Sequence, residues 1–250
     1  VGDLRNYVSN ILRNSLLPRK SMKHGKKYRK VVETIDRTKT YELSEAIKLV
    51  KDNKIASFDE SIEVHVKTNI DAKKGDQQIR GTVVLPHGTG KSKKILVITS
   101  THAAEAKEAG ADIVAGEEFI EKIKSGKAFS GNDKFDILVA TPEMMPRLAP
   151  AAKILGPKGL MPSPKTETVT TKIKETVEAL KKGRAAFKND DGGNIHQAVG
   201  KISFEDEKIS ENVRIFIDTI EKSKPVGLKG KLISGITLCS TMGVGLKVII

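Results

Sequence analysis

"KKILVITS", residues 93–100, is where the texture of this chain changes. Upstream, "DESIEVHVKTN" (59–69) alternates Ile62, Val64 and Val66 with Glu63, His65 and Lys67, the period-two pattern of a strand with one buried face. From Lys93 the apolar runs become continuous: "KKILVITS", "DIVAG" (112–116) and "FDILVAT" (135–141). Strands covered on both faces need no alternation, and these three are separated by "THAAEAKEAGA" (101–111) and "EEFIEKIKSGK" (117–127), which read as helices. Strand and helix in turn predict a small α/β domain on a parallel sheet.

The flanks read differently. "TYELSEAIKLVKDN" (40–53) places Leu43, Ile47 and Val50 on one helical face after a Thr40 or Ser44 cap, and "IRGTVVLP" (79–86) is expected to pair with the 59–69 strand. After the middle, "TETVTTKIKETVEALKKGR" (166–184) predicts a helix with Val169, Ile173, Val177 and Leu180 on one face. "RAAFKND" (184–190), the turn "DGGN" and "IHQAVGKISF" (195–204) read as a hairpin. "SENVRIFIDTIEKSKP" (210–225) reads as an amphipathic helix, and "KLISGITLCST" and "LKVII" as strands either side of "MGVG" (242–245). The fold class is therefore α/β and α+β in two domains. A discontinuous α+β domain, 22–87 and 184–250, encloses an inserted α/β domain, 88–183, with hinges at Gly88 and Gly183.

Charge follows the same division. The net charge is +13, yet the first fifty residues carry +7 and residues 101–150 carry −3. Basic ends around an acidic middle indicate that the terminal segments together bind a polyanion. The apolar runs fall short of the roughly 20 residues that span a bilayer, so a soluble protein without a membrane partner is expected. The single cysteine, Cys239, has no neighbour at metal-ligand spacing and reads as a small apolar strand residue in a reducing compartment. Residues 1–21 are expected to be a disordered or non-native extension ahead of Met22. Leu4, Val8, Ile11 and Leu12 share a helical face among arginines, which also fits an organellar presequence.

Chemistry is sparse. Gly90-Lys91-Ser92 imitates the end of a phosphate loop, but Leu85 stands where its first glycine belongs and a strand, not a helix, follows. His24, His65, His87, His102 and His196 are scattered, no nucleophile elbow is present, and carboxylates alternate with lysines as on solvated helix faces. No enzyme, cofactor or metal site is expected. Aromatic residues make up 4% with no tryptophan, which argues against a sheet of stacking rings and for recognition of a folded RNA by shape and phosphates. Two places offer a compact surface for that: Phe58, and the turn "STMGVG" (240–245), where Thr241 supplies a hydroxyl, Met242 a soft side chain and Gly243 room for a close approach. Composition alone makes Phe58 a core residue and the turn ordinary. "KILGPKGLMPSPK" (153–165) combines Pro157, Pro162 and Pro164 with Gly156 and Gly159, a loop of preset shape that carries an exposed-looking Leu160-Met161 pair.

"FDESIEVHV", "RGTVVLPHGTGK", "KILGPKGLMPSPKTETVT", "NDDGGNIHQAVGKISF" and "STMG", in that order from about Lys23 to Val248, resemble the large-subunit ribosomal protein L-one family, of bacterial type. The resemblance implies a terminal RNA-binding domain with an inserted Rossmann-like domain. It also implies binding of folded large-subunit ribosomal RNA at the mobile stalk near the tRNA exit site, help in releasing deacylated tRNA, and translational repression of the protein's own operon messenger. It implies a monomer when free, in the cytoplasm on a bacterial ribosome, an organellar ribosome being the alternative. Carried over by position, Phe58, Thr241, Met242 and Gly243 are implied RNA contacts, and Lys188 is a further candidate for a phosphate. Ser163, where the family often has asparagine, the run "APAAKILG" and residues 1–21 depart from the family pattern.

Overall fold

A computed structural model of the protein describes residues 25–36, 38–100, 102–129, 134–225, 227–228 and 230–249. The extension 1–21, with its Leu4 to Leu12 face, and the Met22 start lie outside the described residues. Helix α1, Lys26–Thr34, buries none of its side chains.

Beyond it the elements run β1 (Thr40–Glu42), α2 (Leu43–Asp52), β2 (Ser61–Thr68), β3 (Arg80–Val84), β4 (Ile95–Ile98), α3 (Ala103–Glu108), β5 (Ile113–Ala115), α4 (Glu118–Lys124) and β6 (Ile137–Ala140). Short helical turns fill 142–155. Then come α5 (Ile173–Lys181), β7 (Arg184–Lys188), β8 (Asn194–Lys201), α6 (Asp206–Lys222), β9 (Ile233–Ser240) and β10 (Leu246–Ile249).

The strands form three sheets. A parallel sheet, β5-β4-β6, is drawn entirely from 95–140. Its strands are apolar throughout because both faces are covered. Leu96, Ile98, Leu138 and Ala140 pack with Phe119, Ile120, Ile123, Met144, Leu148 and Leu155, while Ile95, Val97 and Val139 pack with Ala106, Ile173, Val177 and Leu180. A five-stranded sheet, β1-β10-β9-β2-β8, is drawn from outside that segment; β1 lies parallel to β10 and the other pairs are antiparallel. Its inner face carries Ile62, Val64, Val66, Ile195 and Leu238, and α2 and α6 pack against the sheet and each other. The third sheet is the two-stranded ribbon β3-β7.

Five expectations are corrected. Residues 40–42 form a strand rather than the first helical turn, so the N-cap position falls to Glu42 and neither Thr40 nor Ser44 caps α2. β3 does not pair with β2; it runs antiparallel to β7, with Arg80 opposite Lys188. The proposed hairpin 184–204 therefore splits between sheets, its two arms meeting at the bridge from Asn189 to Ile195. Val169 lies outside α5 and bridges to Ala140, as suits the β-branched run "TVTT". The Leu160-Met161 pair is half-buried against the core of the parallel sheet, not exposed. Among the described residues no helix is long and apolar enough to cross a membrane.

Candidate RNA interface

The centre of the site is a residue the sequence reading passed over. Glu60 is fully buried at the entrance to β2. Its Oε1 accepts from the amides of Ile55 (3.2 Å) and Ala56 (2.6 Å), and its Oε2 accepts from the amide of Met242 (3.2 Å). One carboxylate thus ties the 55–58 loop to the 240–243 turn. Burial pushes the Glu60 carboxyl up; the nearby Ser240 hydroxyl and the amides of Ala56, Met242 and Ile55 pull it down, and the balance lies below the ordinary value of 4.5.

Both loops are anchored again beside Glu60. Asp59 accepts from the Ser203 amide (3.2 Å) and hydroxyl (3.0 Å), and its carbonyl accepts from Lys201 Nζ (2.9 Å). Thr241 extends the β9–β2 ladder. Its amide donates to the Ser61 carbonyl (3.0 Å), and its Oγ1 accepts from the Ser61 amide (3.0 Å) and donates to the Ser61 carbonyl (3.3 Å). The turn closes where the Gly243 amide donates to the Ser240 carbonyl (3.1 Å).

These anchors leave two apolar side chains standing in water. Phe58 is 53% exposed and Met242 55%, two of the four large hydrophobic residues so exposed among the described residues. Phe58 is therefore not the core residue that composition suggests. Held by buried hydrogen bonds at their bases, the ring and the thioether lose little further freedom on meeting a ligand. A ring can stack on a base and a thioether can follow an irregular surface.

Thr241 has a narrower part than expected. Its single hydroxyl hydrogen is committed to Ser61, leaving one lone pair for a ligand, such as a ribose hydroxyl. Thr241→Val is expected to orphan the Ser61 amide and to cost about 1–3 kcal/mol of stability, the scale for an unsatisfied buried donor. Thr241→Ser should restore it, as denaturant unfolding will read. At Gly243 the constraint is space: a Cβ there would lie 2.4 Å from Ser240 Oγ. Gly243→Ala should destabilise the turn, and adding Ser240→Ala should recover most of the loss in the same measurement.

The other named residues fall elsewhere. Lys188 is exposed on the ribbon, next to Asn189, whose bridge partner Ile195 faces Val66. Thr241 meets β2 at Ser61, so the two attachment points, Ser61 and Val66, are five residue steps apart along the strand, or ~17 Å. Lys188 instead opens on a cleft of about 570 Å³ with Arg80 and Arg184, faced by Gly159, Leu160 and Met161 of the prolyl loop.

Gly88 (φ 64°) and Gly183 (φ 110°) meet backbone to backbone. A Cβ on Gly183 would lie 2.6 Å from Gly88 Cα and 2.8 Å from the Leu85 carbonyl oxygen. The fully buried Asn212 of α6, also unforeseen, accepts from the His87 amide (3.3 Å) and donates to the carbonyls of Gly88 (3.1 Å) and Val199 (2.8 Å). The chain crossing at 87–88 is thus fastened to α6 and β8.

The sequence is closely similar to known proteins over most of its length. The family model described as "Ribosomal protein L1p/L10e family" matches residues 47–244. The chain is 49% identical over 226 residues to the large ribosomal subunit protein uL1 of Mycoplasma capricolum, covering 90% of this chain and 98% of that protein. It is 48% identical over 227 residues to the protein of the same name from Thermosipho africanus and 48% over 226 residues to that of Kosmotoga olearia, in each case across 90% of this chain and 96% of the relative. This chain belongs to the ribosomal protein L1p/L10e family.

Proposed function

We propose that this chain is a component of the large ribosomal subunit and binds folded ribosomal RNA with the surface built around Glu60. The observation that carries the reading is the pair of exposed side chains, Phe58 and Met242, fixed from beneath by one buried carboxylate. Phe58, Met242 and the free lone pair of Thr241 read RNA shape, Gly243 keeps the turn tight, and lysines of the basic segments neutralise phosphate. Lys188, on the cleft, contributes at a second point of contact. The names of the relatives and the +13 charge support the polyanion as partner.

In this reading residues 22–87 and 184–250 form the RNA-binding domain and 88–183 the inserted Rossmann-like domain. The inserted part moves about the crossing at Gly88 and Gly183. Since Asn212 holds the Gly88 carbonyl, the pivot on that strand falls after it. Such a body at the stalk would guide deacylated tRNA from the exit site. The same RNA surface would repress the protein's own operon messenger once ribosomal RNA is filled, acting as a monomer in the bacterial cytoplasm.

Ultraviolet crosslinking of the full chain to an isolated stalk RNA, followed by peptide mapping, tests the site. Crosslinks are expected in 55–61 and 240–243. Crosslinks confined to 103–124 would place the interface on the wrong part of the chain and overturn the proposal.

A further inference from the structure

Sequence spacing finds no metal ligands, because the relevant residues are brought together by sheet pairing across 177 positions of chain. On the outer face of the five-stranded sheet, Glu63 of β2 lies opposite Cys239 of β9, and His65 of β2 lies opposite His196 of β8. A carboxylate oxygen of Glu63, a ring nitrogen of His65 and Sγ of Cys239 all lie within 4.8 Å of one another, and all three residues are half-buried. His65 Nε2 is already 3.0 Å from Cys239 Sγ.

We propose that Glu63, His65 and Cys239 form a binding site for a thiophilic divalent cation of the Zn2+ class. One sulfur, one imidazole nitrogen and one carboxylate oxygen form a donor set suited to zinc. Magnesium and calcium, which take oxygen ligands, are disfavoured by it. Bond lengths of about 2.0–2.3 Å put tetrahedral ligand atoms roughly 3.3–3.8 Å apart, so small side-chain rotations from the observed spacing close the site. Three protein ligands leave the fourth position to water.

The support behind His65 has the form such sites need. Its Nδ1 lies 2.8 Å from His196 Nδ1, and His196 Nε2 lies 3.3 Å from Asp190 Oδ2. Asp190 is itself fixed by the amides of Gly192 (2.9 Å) and Asn194 (2.6 Å). A ligating imidazole whose other nitrogen is hydrogen-bonded keeps its tautomer and its direction. Binding converts the Cys239 thiol to a thiolate: the metal–sulfur bond forms as the S–H bond breaks, and the proton leaves to solvent. Burial and Glu63 push that thiol up to about 11, and a dication among the three groups opposes both effects.

Titration of the metal-free full chain with Co2+ tests the site. A thiolate-to-cobalt charge-transfer band is expected, with visible bands of a four-coordinate ion, saturating at one ion per chain and bleached by Zn2+. Cys239→Ser should abolish the charge-transfer band with unchanged circular dichroism. His196→Ala should weaken binding about 10- to 100-fold while keeping the spectrum, the scale for losing a partner of a ligating histidine. His102→Ala, whose ring pairs with Glu105, should bind as the parent does. Absence of the charge-transfer band in the parent, or an identical band in Cys239→Ser, would overturn the proposal.

Discussion

Glu60→Ala is expected to lower the unfolding free energy by about 2–4 kcal/mol, because a buried donor left unsatisfied costs ~1–3 kcal/mol and three amides lose their acceptor, with partial relief where water can reach. Affinity for RNA should fall with it by roughly ten-fold or more, since ~1.4 kcal/mol of added ordering cost is a factor of ten. Phe58 and Met242 would still be present in this variant, but the bonds that hold their loops in register would not. Phe58→Ala makes the contrast: it removes only an exposed ring, so it should weaken RNA binding and leave the unfolding midpoint within experimental error.

The Glu60 carboxyl also gives a dependence on pH. Its folded pKa lies below 4.5, so its contribution is fully present above that value and is lost as pH falls through the folded pKa. The parent should therefore lose stability relative to Glu60→Gln as pH is lowered below about 4.5, and the difference between them should be constant from pH 6 to 8. A difference that instead grows towards alkaline pH would show that the carboxylate is not what ties the loops.

Gly183→Ala is expected to cost about 2–5 kcal/mol, combining ~1–2 kcal/mol for an L-residue at positive φ with ~1–3 kcal/mol of overpacking. The overlap is with backbone, at Gly88 Cα and the Leu85 carbonyl, which cannot rotate away. Gly88→Ala shares the positive φ but has open space around the added carbon, so it should cost only the first of these amounts. The ratio of the two effects, read by denaturant unfolding, checks that the chain crossings touch. Gly183→Ala alters none of the hydrogen bonds of Glu60 or Thr241, so it should leave RNA affinity close to that of the parent at concentrations where the chain is folded.

Much of this was legible in local pattern. The continuous apolar runs at 95–98, 113–115 and 137–140 announced a sheet covered on both faces, and the alternation of 61–68 announced one covered on a single face. Glu60 could have been found by the same rule: it shares parity with Ile62, Val64 and Val66, so the alternation places a carboxylate on the buried side. Asn212 stands likewise on the apolar stripe of α6, between Ile209 and Phe216. Polar residues in apolar register mark hydrogen-bonding centres.

Strand partners were not legible, because pairing is decided by tertiary packing. β3 and β2 are neighbours in sequence and alike in composition, yet Phe187 of β7 packs edge-on against Phe216 of α6 and carries the ribbon with it. The same limit hid the grouping of Glu63, His65 and Cys239, which exists only once β2 and β9 are in register.

The most direct test of the RNA interface is equilibrium binding of the full chain to a folded stalk RNA across a salt series, parent beside Phe58→Ala. Affinity is expected to fall steeply with salt in both, with parallel slopes, because the same phosphates are neutralised and only an uncharged contact is lost. Phe58→Ala should lie below the parent by about 1–3 kcal/mol at every salt concentration, the scale of a stacked base. Coincident curves would mean that charge alone attracts the RNA, and the surface around Glu60 would not be the reader.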